Sequence, residues 1–191
     1  IFQKFQETIT APLFNQNQNI PMVFAIHSFD NLTHYERKSA IIAAGAQNSY
    51  LGQTSLPTGS FIAGGTGNAI SGHYNVINAG SQNKISGGQL NFIGGGSGND
   101  VNWSRFSSSL GGKNNDVSGA DFSVVLGGNT NLITGGNAHV IGGGDNNQIS
   151  GDDSKIASTI VGGTFNKILG NTYSFIGAGG TNTIYANNSV I

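Results

Sequence analysis

The 191-residue sequence contains no cysteine, so neither disulfides nor thiolate-bound metal can hold its fold. Charged residues make up only 9%, far below the roughly 25% of an ordinary soluble domain. Eight basic and nine acidic residues nearly cancel, leaving a formal net charge of −1. That balance offers no basic surface for nucleic acid. No apolar run approaches the roughly 20 residues of a membrane-spanning helix, so membrane insertion is not expected. Polar residues interrupt the opening "IFQKFQETIT", which does not read as a secretory signal.

What the chain has in excess is glycine, at 31 positions, and asparagine, at 24. The two are arranged in a repeat. An asparagine that precedes an aliphatic or aromatic residue by two recurs at Asn48, Asn68, Asn83, Asn99, Asn115, Asn131, Asn147, Asn166 and Asn182. The commonest spacing is 16 residues. A glycine lies three positions before each, and glycine or alanine four before. Each copy holds two short extended pieces, such as "NFIGG" and "NKISG", separated by glycine corners. A constant period without helical patterning predicts an all-β fold. It is a β-solenoid of about nine coils, with two short strands per coil and a rise of about 4.8 Å. In-register asparagines can form an amide ladder along the axis. Alternatively they serve only as turn formers.

The two pieces differ in their outward residues. The second alternates one apolar position with Lys84, Asp100, Asp116, Gln148, Lys167 or Thr183, which predicts a wet face. The first carries adjacent apolar pairs, among them Phe61-Ile62, Phe92-Ile93, Val124-Val125 and Phe175-Ile176. One of each pair must face outward, giving a continuous apolar stripe that needs a cover. Identical chains around a common axis are the preferred cover, with a threefold arrangement attractive. Residues 1–38, which contain "APLF" and "IPMVFAI", are the competing one. They lack the repeat and are read as a cap or a joint to a preceding segment. Residues 39–191 form the repeat region. "SVI" at Ser189 to Ile191 matches the start of earlier first pieces, so the coils are expected to continue past Ile191.

The phrase "GGxxNxISGxxSxIxGG" resembles the Gly/Asn-rich repeats of phage tail fibres and related virion fibres. It is also similar to the β-roll heads of YadA-type trimeric adhesins, though those use a repeat near fourteen residues with Ser and Ala in place of Asn and Ile. The resemblance covers roughly residues 39–191. It implies an elongated parallel homotrimer located on the virion, with other fibre or virion proteins and a host-surface glycan or protein as partners. A bacterial surface adhesin is the alternative, placed at the cell surface.

Enzymatic and cofactor chemistry is not indicated. "GGTGNAI" and "GGGSGNDV" resemble a calcium nonapeptide, but the period is wrong and asparagine stands where aspartate is needed. No phosphate-loop pattern occurs. His27, His34, His73 and His139 have no metal-ligand spacing. Glu7 and Glu36 lie outside the repeat, and the aspartates are scattered, which argues against a glycan-degrading tailspike. An ice-binding face would need more regularity than the second piece offers. No catalytic, cofactor or metal residues are therefore assigned. The informative break is "NWSRF", where Trp103 replaces a corner glycine. Trp103, Arg105 and Phe106 are candidate surface-binding residues, since Trp and Arg are favoured anchors and aromatic rings suit sugar faces. The competing reading is a local packing plug between chains.

Overall fold

A computed structural model describes residues 40–50, 58–152, 154, 156–170 and 172–191. The expectation for residues 1–38 lies outside the described residues.

The described chain is an all-β parallel solenoid without helix. Two nine-stranded parallel sheets face each other. The first runs from Ala40–Ile42 to Phe175–Ile176, and the second from Ser49–Tyr50 to Thr183–Ile184. Successive strands of the chain alternate between the sheets, so each rung holds one strand of each. The nine rungs make about eight full turns of about 16 residues.

Strict register produces the core. In the first sheet Ile62, Ile77, Ile93, Ser109, Val125, Ile141, Ile160 and Ile176 stack on one another. In the second, Ile70, Ile85, Val101, Val117, Ile133, Ile149, Ile168 and Ile184 do the same. These columns are buried, and each isoleucine contributes about 2 kcal/mol of apolar burial. On the first rung Tyr50 holds the aliphatic position. Its hydroxyl donates to the Ile41 carbonyl, and burial pushes its pKa up to about 12.

The nine repeat asparagines stand in one column beside the core. In all eight steps, the backbone N–H of one asparagine donates to Oδ1 of the asparagine below, at 2.9–3.1 Å. Each Nδ2 donates to the carbonyl four residues earlier, which closes the corner of its own coil. Nδ2 also donates to a glycine carbonyl of the coil above, as from Asn131 to Gly144 at 3.0 Å. One amide thus joins three coils.

This geometry explains the glycine three residues before each asparagine. Gly128 has φ +87, and a Cβ there would lie 2.2 Å from the Gly144 carbonyl oxygen, the same atom that accepts from Asn131. Gly127, one residue earlier, faces open space.

Gly128→Ala should therefore cost about 3 kcal/mol or more through left-handed strain and overpacking. Gly127→Ala should change stability by less than about 0.5 kcal/mol. Urea midpoints of the two variants test this, and equal midpoints would contradict it. Asn131→Ala removes four cross-coil bonds and leaves the buried Asn147 N–H without its acceptor. We expect a loss of about 3 kcal/mol, together with faster amide exchange at the rungs on either side.

Candidate functional site

A second ladder runs through the first sheet. It consists of Ser60, Asn75, Asn91, Ser107, Ser123, His139, Ser158 and Ser174, each side chain accepting from the backbone N–H of the next. Asparagine, serine and histidine all present an acceptor at this height, so the column tolerates all three. His139 is fully buried and accepts the Ser158 N–H through Nδ1 at 3.1 Å. Its proton therefore sits on Nε2, which has no partner, and burial lowers its pKa. The residue just before each ladder position has positive φ, for instance Tyr74, Gln82, Leu90, Phe106 and Asn114. The true unit is thus an eight-residue half-coil used twice per turn. Aligning the sequence on asparagine alone misses it. The signal that would find it is an aliphatic residue two positions after Asn75, Asn91, Ser123, His139, Ser158 and Ser174.

Three surfaces follow from this frame. The outer face of the first sheet is built of three columns. The central one contains Phe61, Val76, Phe92, Ser108, Val124, Val140, Thr159 and Phe175. Two residues further along lie Ala63, Asn78, Gly94, Leu110, Leu126, Gly142, Val161 and Gly177. Large and small residues compensate within a rung: Phe92 pairs with Gly94, Ser108 with Leu110, and Phe175 with Gly177. The third column is the left-handed corner with Tyr74, Leu90, Phe106, Phe122 and Tyr173, all exposed. The Phe106 and Phe122 rings stack at 5.0 Å and 2°. None of these residues carries a charge. Leu126 is 49% and Val161 52% exposed.

The outer face of the second sheet carries the charges. Lys84, Asp100 and Asp116 stand in register on successive strands. Oδ1 of each aspartate is buried and lacks a hydrogen-bond partner. Desolvation, then the neighbouring Asp100 charge, pushes the Asp116 carboxyl up to about 6, while Lys84 pulls it down. This face is thus less wet at Asp100 and Asp116 than the alternation suggests. Asp121 and Asp145 lie on corners, away from that pair. Among the described residues, no three His, Asp or Glu side chains converge as metal ligands.

The third surface is the corner at "NWSRF", where three near neighbours in sequence take three directions. Trp103 is 77% exposed, with its ring over Gly87. Arg105 is held on Asp121: Nε donates to Oδ2 at 2.9 Å, Nη2 to Oδ2 at 2.5 Å, and its backbone N–H to Oδ1 at 2.8 Å. Phe106 joins the apolar face. Trp103, Arg105, Gly119, Asp121, Gly136 and Asn137 line an open recess of about 400 Å³. The structure brings Trp103 and Arg105 to one site and sends Phe106 to another. Within a single chain, Trp103 fills no packing defect.

The sequence matches no known family model and no curated protein.

The stacked aspartates give a pH prediction. Below about pH 3.8 Asp116 is protonated in both folded and unfolded chains and is neutral toward stability. Between 3.8 and about 6 the folded chain holds the proton more tightly, so this group's contribution to stability falls as pH rises. Asp116→Asn should leave stability unchanged near about pH 3 and raise it by roughly 1 kcal/mol near about pH 8, allowing for solvent screening. Thermal melts at both pH values check this, and equal stabilisation at both would contradict it.

Proposed function

We propose that this chain is a structural segment of an elongated homotrimeric virion fibre of the phage tail-fibre kind, contributing to attachment at a host surface without catalysis. The observation that supports this best is the uncharged, largely apolar outer face of the first sheet, which runs over the eight rungs from Phe61 to Phe175. At about 4.8 Å per rung it is roughly 40 Å long. A continuous apolar patch of that reach on a soluble protein marks an association surface.

The form of the face favours copies of the same chain over an unrelated cover. Its three columns repeat with the rung spacing, so a parallel copy in the same register offers matching steps along its whole length. Parallel packing also leaves both ends of the rod open to neighbouring segments. The apolar surface continues from the sheet onto the exposed left-handed corner column of Tyr74, Leu90, Phe106 and Phe122, so each chain offers two adjacent apolar strips. Two different contacts per chain are what a closed ring of three requires, whereas a twofold dimer needs one self-complementary patch. Charged and polar residues are left on the second sheet and the corners, where a fibre meets solvent or a host surface.

Sedimentation equilibrium of the chain at micromolar concentration should return three times the 19.6 kDa chain mass. Leu126→Lys places a charge on the face at a position already exposed in one chain, so its circular dichroism should be unchanged while assembly is lost. A wild-type chain that sediments as a monomer would sink the trimer.

A further inference from the structure

We propose that the recess at Trp103 is a carbohydrate subsite that takes one neutral hexopyranose unit of a host-surface glycan. This deepens the attachment role above and rests on it for its biological setting.

The rung that carries the recess departs from the repeat at several positions at once. Trp103 stands in the corner column of Gly87, Gly119 and Gly135, with φ +49 where the glycines have no side chain to strain. Ser104 occupies the neighbouring glycine position and turns inward, fully buried. Ser109 replaces the aliphatic core residue between Ile93 and Val125, and its buried Oγ has no partner. Ser104 keeps the coils tied, since its hydroxyl accepts the Ala120 N–H, but the changes at Trp103 and Ser109 do not help the solenoid. An exposed indole, a core deficit and an unsatisfied hydroxyl all weaken it. Rules broken together without gain to the fold mark a functional position.

The chemistry of the recess fits a sugar. Beside the indole the corner is bare: a Cβ at Gly119 would meet nothing within 4 Å. Across the glycines, Arg105, Asp121 and Asn137 follow one another on successive rungs, about 4.8 Å apart. A pyranose ring has an apolar C–H face and an edge of hydroxyls. The indole suits the first and planar polar side chains suit the second. The Arg105–Asp121 pair is in place before any ligand arrives. It engages two of the five guanidinium N–H groups and leaves the others for acceptors. Because the pair is internally neutral, the recess offers no net charge to hold a free ion. A polyhydroxylated neutral ring is the ligand class that remains.

Trp103 is the only tryptophan in the chain, so its fluorescence reports on the recess alone. The full chain is titrated with maltohexaose, cellohexaose, chitohexaose and mannohexaose, and sedimentation velocity is run in parallel. We expect a saturable emission change with at least one of them. Arg105→Ala should weaken that binding about tenfold or more. Trp103→Gly, which restores the residue usual in this column, should abolish binding by calorimetry, raise the thermal midpoint slightly and leave the sedimentation coefficient unchanged. No emission change with any of the four sugars would overturn the proposal. So would dissociation of the assembly in Trp103→Gly, which would make the indole a contact between chains. A monomeric wild-type chain that still binds would sustain the sugar site while removing the trimeric fibre.

Discussion

The structure depends on one coupling: the side-chain oxygen of each buried asparagine accepts the backbone N–H of the asparagine on the rung above it. A sixteen-residue coil cannot satisfy its own corner. Its corner presents glycine carbonyls and an asparagine N–H that need partners. The stacked amides supply a partner for each. Nδ2 closes the coil from which it comes and ties it to the next, while Oδ1 anchors the strand that follows. Burying an amide is costly unless both its ends are paired, and here they are. The register of the aliphatic columns follows, because a one-residue slip would leave every amide facing the wrong carbonyl.

Fixing register in this way separates the jobs of the residues. Inward positions are held by Ile, Val and the ladder side chains, apart from Tyr50 and Ser109, and corner positions take a left-handed backbone whether or not they are glycine. Outward positions remain free, and the two sheets use that freedom differently. The first sheet excludes charge across three columns and balances phenylalanine with glycine in the same rung. The second sheet admits Lys84 beside Asp100 but also sets Asp116 against Asp100, a repulsive neighbour on a parallel ladder. A chain under pressure only for stability would not place two carboxylates in register. The uneven treatment of the two faces accords with the lateral association proposed for this chain.

Much of this was legible in the sequence because the asparagine column repeats almost without exception. The nine asparagines, the glycine three before each, the aliphatic two after, and the pairs such as Phe92-Ile93 give the coil, the core and the apolar stripe. The second ladder escaped because its chemistry is degenerate. A hydroxyl at Ser107, an amide at Asn91 and an imidazole at His139 all accept the same N–H, so identity varies while function holds. The left-handed corner escaped for the opposite reason. Tyr74, Leu90 and Phe122 are bulky residues at φ near +55, and nothing in their chemistry announces it. Their N–H groups are held by carbonyls of the preceding coil, as Phe122 is by Arg105. Position in a stack of coils, not intrinsic preference, decides the conformation. The same holds for the inward turn of Ser104 and Ala120, which depends on the Ser104 hydroxyl accepting the Ala120 N–H.

A stacked rod also determines where departures from the repeat can be placed. Each rung contacts only its neighbours, so stability is close to a sum of rung and interface contributions. A defect at a terminal rung loosens an end that already lacks one partner and invites fraying. A defect in the middle is held from both sides. Ser109 lies between Ile93 and Val125, and the Asn99 amide on the same rung bonds both upward and downward. The rung of Trp103 can therefore give up a core isoleucine and a corner glycine without breaking the ladder. The amide column above and below the recess therefore holds its exposed indole and its ion pair in place.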